Sequence, residues 1–277
     1  MERREGKFKG LKGLELHYQC WLPDTALRAV LLVVPGLAER SGRYTNLVDY
    51  FVARRYAVYV LDHRGHGKSE GLRVHVEHFS DYVDDLKTFF DLVRGEHSCA
   101  KVFLVGHSMG GTIATAYAIQ HQQELAGLIL SGATLKVGSG ISTAQMVIAR
   151  VLSAVVPKIG VSPLDSAAIS QDPAVVQAYD NDPLVYRGKI RARQGAELLK
   201  AVQALPPQMP QMTLPVLIMY GTADRLSDPE GSRMLYERVS SEDKTLKAYE
   251  GFYHEVFNEP GHEQVLADME LWLAARV

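Results

Sequence analysis

Residues 101–111 read KVFLVGHSMGG, and this stretch decides the fold that the sequence predicts. A short apolar run ends abruptly in glycines, with Ser108 held between Gly106 and Gly110. The segment that follows, GTIATAYAIQ at 111–120, is a good helix former. A plain glycine turn would explain the two glycines, but it would not explain a buried strand, a tight turn and a helix in succession. This setting lifts a serine hydroxyl above a sheet, so we interpret Ser108 as a nucleophile.

The rest of the chain alternates short apolar runs with segments of helical periodicity. This alternation indicates an α/β fold with a mostly parallel central sheet flanked by helices. The stretch 133–207 interrupts the alternation, since it has helical patterning and no strong strand. We predict that 1–132 and 208–277 form one core and that 133–207 is a helical cap inserted before the last strands. The predicted strands are 29–34 (AVLLVV), 56–61 (YAVYVL), 102–105 (VFLV), 127–130 (GLIL), 215–220 (PVLIMY) and 245–249 (TLKAY).

Composition excludes several classes of protein. Of the 277 residues, 47% are hydrophobic and 22% are charged, and a net charge of −2 argues against a nucleic-acid partner. No apolar stretch reaches the ~18 residues of a membrane span, and the N-terminal MERREGKFKG lacks the apolar part of a secretion signal. Cys20 and Cys99 have no metal-ligand spacing, so we expect two separate thiols. The sequence thus predicts a cytoplasmic protein, with contact to a lipid surface left open.

A serine nucleophile needs a base, and the base needs an orienting acid. In a strand–serine turn–helix architecture the expected chain order is serine, acid, histidine. Asp224 follows the strand 215–220 in the sequence GTAD, and His254 follows the strand 245–249 in EGFYH. The carboxyl ends of parallel strands meet at one edge of the sheet, where ligands bind. Ser108, Asp224 and His254 are therefore predicted to converge at that edge as the catalytic residues.

Other ionisable residues near these positions are interpreted as structural. Asp228 lies further from its strand than Asp224 and is expected in a turn or a helix cap. His262 is expected at the start of the final helix. The glycine-rich loop LDHRGHGKSEG (61–71) contains residue types that bind metals, but a third ligand is missing and a structural loop is favoured. The residues concerned there are Asp62, His63 and His66.

Acyl transfer places negative charge on the former carbonyl oxygen, and two backbone N–H groups usually receive it. One predicted donor is Met109, the residue after the nucleophile. The other is expected in the loop PGLAE (35–39) after the strand 29–34. Leu37 is the candidate there, because Pro35 has no N–H. No metal or organic cofactor is implied by this chemistry.

Apolar residues in the predicted cap recur at helical spacing, and Pro157 is expected to end or kink that helix. One interpretation is that this stripe packs on the sheet. The other is that part of it, including Ile148, Val151 and Leu152, lines an acyl tunnel or touches lipid. The stripe consists of Ile148, Val151, Leu152, Val155, Val156 and Ile159.

Six stretches of the chain together resemble the monoacylglycerol lipase family, the monoglyceride-hydrolysing branch of the serine α/β-hydrolases, and particularly its bacterial members. The resemblance runs from near residue 14 to the C-terminus, cap included, and the combination is far more specific than any single motif. The stretches are GLAERSGRY (36–44), LDHRGHGKSEG (61–71), VGHSMGG (105–111), AYDNDPL (178–184), YGTADRL (220–226) and LKAYEGFYHEVFNEP (246–260).

The resemblance implies an α/β-hydrolase fold and an esterase that cleaves monoacylglycerols. It carries the same residues onto the nucleophile, the acid, the base and the oxyanion donors. It also implies that Glu39, Arg43 and Tyr179 lie near the glycerol end of the pocket, although a surface ion pair is an equal alternative for Glu39 and Arg43. The family normally has histidine where this chain has Pro35. The resemblance favours the interpretation in which the cap stripe meets an acyl chain or a lipid surface.

Two alternatives remain open at this point. A broader carboxylesterase or lysophospholipase would use the same machinery on other lipid esters. Some proteins of this fold serve as ligand receptors with little or no hydrolysis, and the complete set of three catalytic residue types argues against that function. Epoxide hydrolase or dehalogenase chemistry is disfavoured, because those relatives have aspartate at the position of Ser108.

Overall fold

The computed structural model describes residues 1–137 and 143–277, and only the backbone at Thr143 and Gln145. An eight-stranded sheet forms its centre, in the order β1-β2-β4-β3-β5-β6-β9-β10. A separate two-stranded sheet pairs β7 with β8. The strands are β1 (Glu2–Lys9), β2 (Glu15–Leu22), β3 (Ala29–Val34), β4 (Tyr56–Leu61), β5 (Val102–His107), β6 (Gly127–Ser131), β7 (Gly160–Ser162), β8 (Ile190–Arg191), β9 (Val216–Gly221) and β10 (Lys244–Tyr249).

The six strands from β4 to β10 in the large sheet run parallel, as the sequence predicts. Every residue of β3, β4 and β5 is buried, which agrees with continuous apolar runs in a sheet covered on both faces. Each of the six predicted strands is present, with ends that differ by one or two residues. The predicted α/β-hydrolase architecture is therefore confirmed.

The antiparallel strands β1 and β2 were not predicted. β1 pairs with β2 at the edge of the sheet, and β2 pairs in turn with β4. Most of β1 is exposed, and Phe8 is its buried residue. A charged edge strand such as ERREGKFK lacks the apolar run by which the inner strands are recognised.

Helices cover both faces of the sheet. In α2 the predicted apolar face is buried, including Val83, Leu86, Phe89 and Phe90. The last helix begins at His262, as the sequence predicts. The helices are α1 (Thr45–Val52), α2 (Ser80–Glu96), α3 (Met109–His121), α4 (Thr143–Val155), α5 (Pro173–Asn181), α6 (Ala192–Ala204), α7 (Glu230–Arg238) and α8 (His262–Ala274).

Three of these helices, α4, α5 and α6, lie between β6 and β9 together with the short strands β7 and β8. This region corresponds to the predicted cap, of which residues 138–142 lie outside the described residues. The two short strands were not predicted, because two or three residues give no readable alternation. Across the described ranges, no helix combines the length and the apolar composition needed to cross a bilayer.

Candidate active site

Ser108 lies in the turn that joins β5 to α3, and its backbone is strained. Its φ of 54° and ψ of −122° fall outside the regions that side chains other than glycine usually occupy. The Ser108 carbonyl accepts hydrogen bonds from the N–H groups of Gly111 at 2.9 Å and Thr134 at 3.1 Å, while its own N–H donates to the Ser131 carbonyl. The turn is thus held in a strained geometry by the sheet and the helix around it, as expected for a nucleophile.

The two glycines of the turn are required by close backbone contacts. A methyl group on Gly106 would lie 2.7 Å from the Gly110 carbonyl oxygen, which is closer than carbon and oxygen approach without displacement. A methyl group on Gly110 would overlap the Val34 carbonyl oxygen at the end of β3. The glycines at ±2 from Ser108 therefore allow β3, β5 and α3 to approach one another.

His254 and Asp224 form a buried hydrogen-bonded pair in the loops after β10 and β9. The His254 Nδ1–H donates to Asp224 Oδ2 at 2.8 Å, and both side chains are at most 5% exposed. Asp224 Oδ1 accepts from the N–H groups of Leu226 at 2.8 Å and Ser227 at 2.9 Å, which fixes the carboxylate. Asp228, the rejected alternative, instead accepts from the N–H of Glu230 at the start of α7.

The environment of His254 favours its protonated form. Burial by itself lowers the pKa of the imidazole, but the Asp224 carboxylate outweighs burial and raises that pKa above its ordinary value. Nδ1 is committed to Asp224, so Nε2 is the nitrogen left for a proton from a nucleophile. Ser108 and His254 both line a cavity of about 400 Å³. Within 1–137 and 143–277 no hydrogen bond joins them, and such contacts commonly tighten only when substrate is bound.

The loop after β3 lies directly against the nucleophile. A methyl group on Gly36 would lie 3.1 Å from the Ser108 Cβ, and Leu37 and Met109 line the same cavity. Met109 is the first residue of α3, where backbone N–H groups have no partner within the helix. No acceptor in the described part of the chain takes the N–H of Leu37 or of Met109. Both donors are therefore in the positions that the sequence assigns to an oxyanion hole.

Glu39 and Arg43 are buried and do not form a surface ion pair. Arg43 donates to both carboxylate oxygens of Glu255 at 2.6 and 2.7 Å, and its Nε lies 3.8 Å from Glu39 Oε1. The Arg43 guanidinium also lies over the Tyr179 ring at 4.6 Å. Glu39, Tyr179 and Glu255 line the cavity beside the catalytic residues. Sequence reasoning missed Glu255, whose only signal is its position directly after His254.

The two buried glutamates differ in acidity. Burial alone would raise the pKa of Glu39, but neighbouring His107 and Arg43 lower it to about 2. Burial and the nearby Glu39 raise the pKa of Glu255, with Arg43 acting against them. Glu39 is therefore the carboxylate that keeps its charge as the pH falls. The cavity has one ionised, acceptor-rich end.

The same region includes three side chains that a metal ion could use. Ligand atoms of Glu39, His107 and Glu255 all lie within 4.8 Å of one another. The guanidinium of Arg43 already binds Glu255 through both carboxylate oxygens. A fixed cation in contact with the carboxylates disfavours a second cation, so this set suits an organic group with hydroxyl donors better than a metal.

Replacing Arg43 with methionine is expected to destabilise the fold. The change leaves two buried carboxylates without their cation, and breaking a buried ion pair from one side costs about 3–5 kcal/mol. The free energy of unfolding from urea titrations measures the loss. Arg3→Met is a suitable control, because Arg3 and its partner Glu5 are exposed and such pairs contribute about 0–1 kcal/mol. Equal stability losses in the two variants would contradict the buried network.

Stability is expected to fall on mild acidification, because three histidines are buried in neutral form. Burial lowers the pKa of His63 to about 3 and those of His66 and His107 to about 4. The unfolded chain, with a histidine pKa near 6.5, binds more protons between those values. Each histidine therefore removes up to about 1.4 kcal/mol per pH unit as the pH falls from 6.5 towards 4. The raised pKa of His254 acts in the opposite direction.

Urea unfolding at pH 7.5, 6.0 and 5.0 measures this slope. His66→Gln is expected to flatten it by the contribution of one histidine. His78→Gln, which removes an exposed imidazole, is the matched control. A slope that is the same in the wild type and in His66→Gln would contradict the prediction.

The residues of the cap stripe do not line the cavity. Ile148 and Val151 are 56% and 55% exposed, and Leu152 is partly exposed. The cavity wall drawn from this region consists instead of Ser162, Leu164, Ile169, Tyr179, Ile190 and Leu198. The stripe therefore does not pack on the sheet, and of the two interpretations its exposure fits contact with lipid better than an acyl tunnel.

Comparison with known proteins agrees with this geometry. Residues 25–261 match the family model described as serine aminopeptidase, S33. The chain is 40% identical over 275 residues to the monoacylglycerol lipase of Mycolicibacterium smegmatis, covering 99% of this chain and 98% of that protein. It is 35% identical to the human monoglyceride lipase, covering 95% of this chain and 88% of that protein.

A solved structure extends the agreement to three dimensions. The crystal structure of Paleococcus ferrophilus monoacylglycerol lipase matches with a TM-score of 0.82 and 31% identity, and the match covers both chains in full. The similarity therefore includes the core strands, the region between β6 and β9, and the loops that hold Ser108, Asp224 and His254. The chain belongs to the serine aminopeptidase S33 family of α/β-hydrolases and, within it, to the family of the monoacylglycerol lipases.

Proposed function

We propose that this chain hydrolyses the ester bond of monoacylglycerols, releasing a fatty acid and glycerol. The single observation that carries the proposal is the convergence of Ser108 with the His254–Asp224 pair on one cavity. The family relationship supports the reaction class, and the polarity of the cavity supports the substrate. The catalytic roles that follow are part of the proposal.

In the proposed reaction Ser108 attacks the ester carbonyl while His254 Nε2 takes the hydroxyl proton. Asp224 stabilises the imidazolium that forms. The carbonyl oxygen becomes negatively charged and is held by the N–H groups of Leu37 and Met109. The imidazolium returns the proton to the glycerol oxygen, which leaves. His254 then activates a water molecule that releases the fatty acid from Ser108.

The cavity is suited to an amphipathic ester. One end carries Glu39, Tyr179 and Glu255, which together offer hydrogen-bond acceptors and one donor. The Tyr179 hydroxyl is buried and has no partner among the described residues, so it is available to a bound molecule. The remaining wall is apolar and suits an acyl chain. Its members are Leu37, Met109, Leu164, Ile169, Ile190, Leu198 and Leu226.

An ester panel tests this substrate assignment. Wild-type protein is assayed on monoacylglycerols of graded chain length, on di- and triacylglycerols, on short-chain esters and on lysophosphatidylcholine. Monoacylglycerols are expected to have the highest kcat/KM. Lysophospholipid is expected to be a poor substrate, because the ionised Glu39 repels a phosphate group. Comparable turnover of all these esters would favour a broader carboxylesterase, and no turnover of any would favour a ligand receptor.

We also propose that residues 133–207 act as a cap whose outer stripe touches lipid surfaces, in the cytoplasmic compartment that the composition predicts. The outer stripe is defined here as Ile148, Val151, Val155, Val156 and Ile159, all of them between 41% and 73% exposed. Neighbouring apolar side chains at this exposure are unusual unless a partner or a membrane covers them. The free Cys20 and Cys99 thiols agree with a reducing compartment.

Replacing Val151 and Val155 together with serine is expected to reduce membrane binding several-fold. Each valine loses about 1.5–3 kcal/mol of apolar transfer free energy if it is fully inserted in lipid. Co-sedimentation with phosphatidylcholine vesicles measures the bound fraction. Leu271→Ser is the matched control, since Leu271 on α8 is as exposed as Val155 but lies outside the cap. Binding that falls equally in both variants, or in neither, would contradict the proposed docking surface.

A further inference from the structure

The peptide unit between Pro35 and Gly36, at the start of the loop with Leu37, is held from both sides. The Pro35 carbonyl accepts a hydrogen bond from His63 Nε2 at 3.0 Å. The Gly36 N–H donates to Glu39 Oε2 at 2.9 Å. Both polar groups of one peptide plane are therefore bonded, which fixes its orientation. The Leu37 N–H belongs to the next peptide unit, so its direction depends on the orientation of this one.

His63 is built into the core in a way that commits one of its nitrogens. Its ring is 1% exposed and packs edge-on against Tyr82 with centroids 5.3 Å apart. A carbonyl oxygen can only accept, so Nε2 carries the proton of the neutral ring. Burial lowers the pKa of His63 to about 3, so the ring remains neutral near pH 7. The tautomer that donates to Pro35 is thus the stable one.

The other nitrogen of His63 has no such use. Nδ1 is buried and has no hydrogen-bond partner among the described residues. A buried polar atom without a partner costs about 1–3 kcal/mol, so an apolar ring would fill this space more favourably. The imidazole is therefore explained by the hydrogen bond that Nε2 makes to the loop.

The residue before His63 holds the far end of the same loop. Asp62 Oδ1 accepts from the Ser41 N–H at 2.6 Å, and Asp62 Oδ2 accepts from the Lys68 N–H at 2.9 Å. Two consecutive residues after β4 thus hold the loop after β3 at both of its ends. Between these ends the Ala38 carbonyl accepts from the Tyr186 N–H at 3.1 Å. The course of the loop is set by side chains of the neighbouring strand end.

We propose that His63 is a positioning residue that aims the Leu37 N–H at the developing oxyanion by holding the Pro35 carbonyl. The proposal rests on the proposed function, because it takes Leu37 as an oxyanion donor. Pro35 has a fixed φ, and Gly36 has the widest conformational freedom of any residue. The loop therefore does not fix its own direction, and displacement of a catalytic group by about 1 Å lowers rates by up to about 100-fold.

Two variants separate the hydrogen bond from the packing. His63→Phe keeps a ring against Tyr82 but removes the donor, whereas His63→Gln supplies an amide N–H of similar reach. His63→Phe is expected to lower kcat about 10- to 100-fold with KM changed by less than about threefold, since the donor acts on the transition state. His63→Gln is expected to recover most of kcat. Affinity for a trifluoromethyl ketone, whose bound hemiketal oxygen occupies the oxyanion hole, is expected to fall with kcat.

The proposal is overturned by wild-type kcat in His63→Phe, by a loss confined to KM, or by equal losses of kcat in both variants that follow their thermal midpoints. Its failure is distinguishable from failure of the proposed function. The wild-type protein is first labelled at Ser108 with a fluorophosphonate and assayed on monoacylglycerol. An unreactive wild type contradicts the proposed function, whereas a reactive wild type with unaffected His63→Phe contradicts the positioning role alone.

Discussion

Replacing Ser108 with alanine is expected to lower kcat/KM for monoacylglycerols by at least about 10⁵-fold, because no other group can form the acyl-enzyme. The fold is expected to persist, since the hydroxyl is not part of the backbone hydrogen bonds that hold the turn. Release of fatty acid measures the activity, and circular dichroism with thermal unfolding measures the fold. Undiminished turnover in this variant would remove Ser108 from the mechanism.

Ser108→Gly is a companion variant that tests the strain in the turn. Glycine adopts a positive φ without the steric cost that Ser108 bears at 54°. Ser108→Gly is therefore expected to be as inactive as Ser108→Ala but more stable than it, by about 1–2 kcal/mol. The free energy of unfolding of the two variants gives the comparison. A glycine variant no more stable than the alanine variant would show that this turn stores no strain.

Asp224→Asn is expected to lower kcat about 10⁴-fold while leaving KM nearly unchanged. The Asp224 carboxylate accepts from His254 Nδ1–H, and an amide in its place can instead donate to Nδ1. The imidazole would then carry its proton on Nε2, where it cannot take a proton from Ser108. The two backbone donors at Leu226 and Ser227 can still bond to the amide oxygen, so the loop is expected to keep its shape.

The pH profile separates this effect from a simple loss of structure. Asp224 raises the pKa of His254, and the protonated imidazole cannot act as base. The acid limb of kcat/KM is therefore expected near or above the ordinary histidine pKa in the wild type and at lower pH in Asp224→Asn. Asp228→Asn is the matched control and is expected to keep wild-type activity. An acid limb at the same pH in wild type and Asp224→Asn would contradict the pairing.

Several features of the fold could be predicted from local sequence. The parallel strands are recognisable because a strand covered on both faces must be apolar throughout, as in AVLLVV and YAVYVL. The turn at Ser108 is recognisable because the close approach of β3, β5 and α3 excludes side chains at Gly106 and Gly110. The strand β1 could not be predicted in this way, since an exposed edge strand has no comparable constraint.

The surroundings of the cavity were less predictable. Glu39 and Arg43 have the composition of a surface pair, and only their position beneath the cavity shows that they are buried with Glu255. The stripe at Ile148 and Val151 has the periodicity of a packed helix, yet its side chains are exposed. Periodicity identifies the apolar face of a helix, but it does not identify what that face meets.

The sequence by itself determined the strand–turn–helix around Ser108 and the chain order of Ser108, Asp224 and His254, because these depend on neighbouring residues and on strand ends. Only the tertiary structure decided which side chains reach across between loops: Glu255 to Arg43, Asp224 to His254 and His63 to the Pro35 carbonyl. Such contacts join residues 28 to 212 positions apart. Their geometry is set by the packing of β3, β4, β9 and β10, which no local pattern of residues encodes.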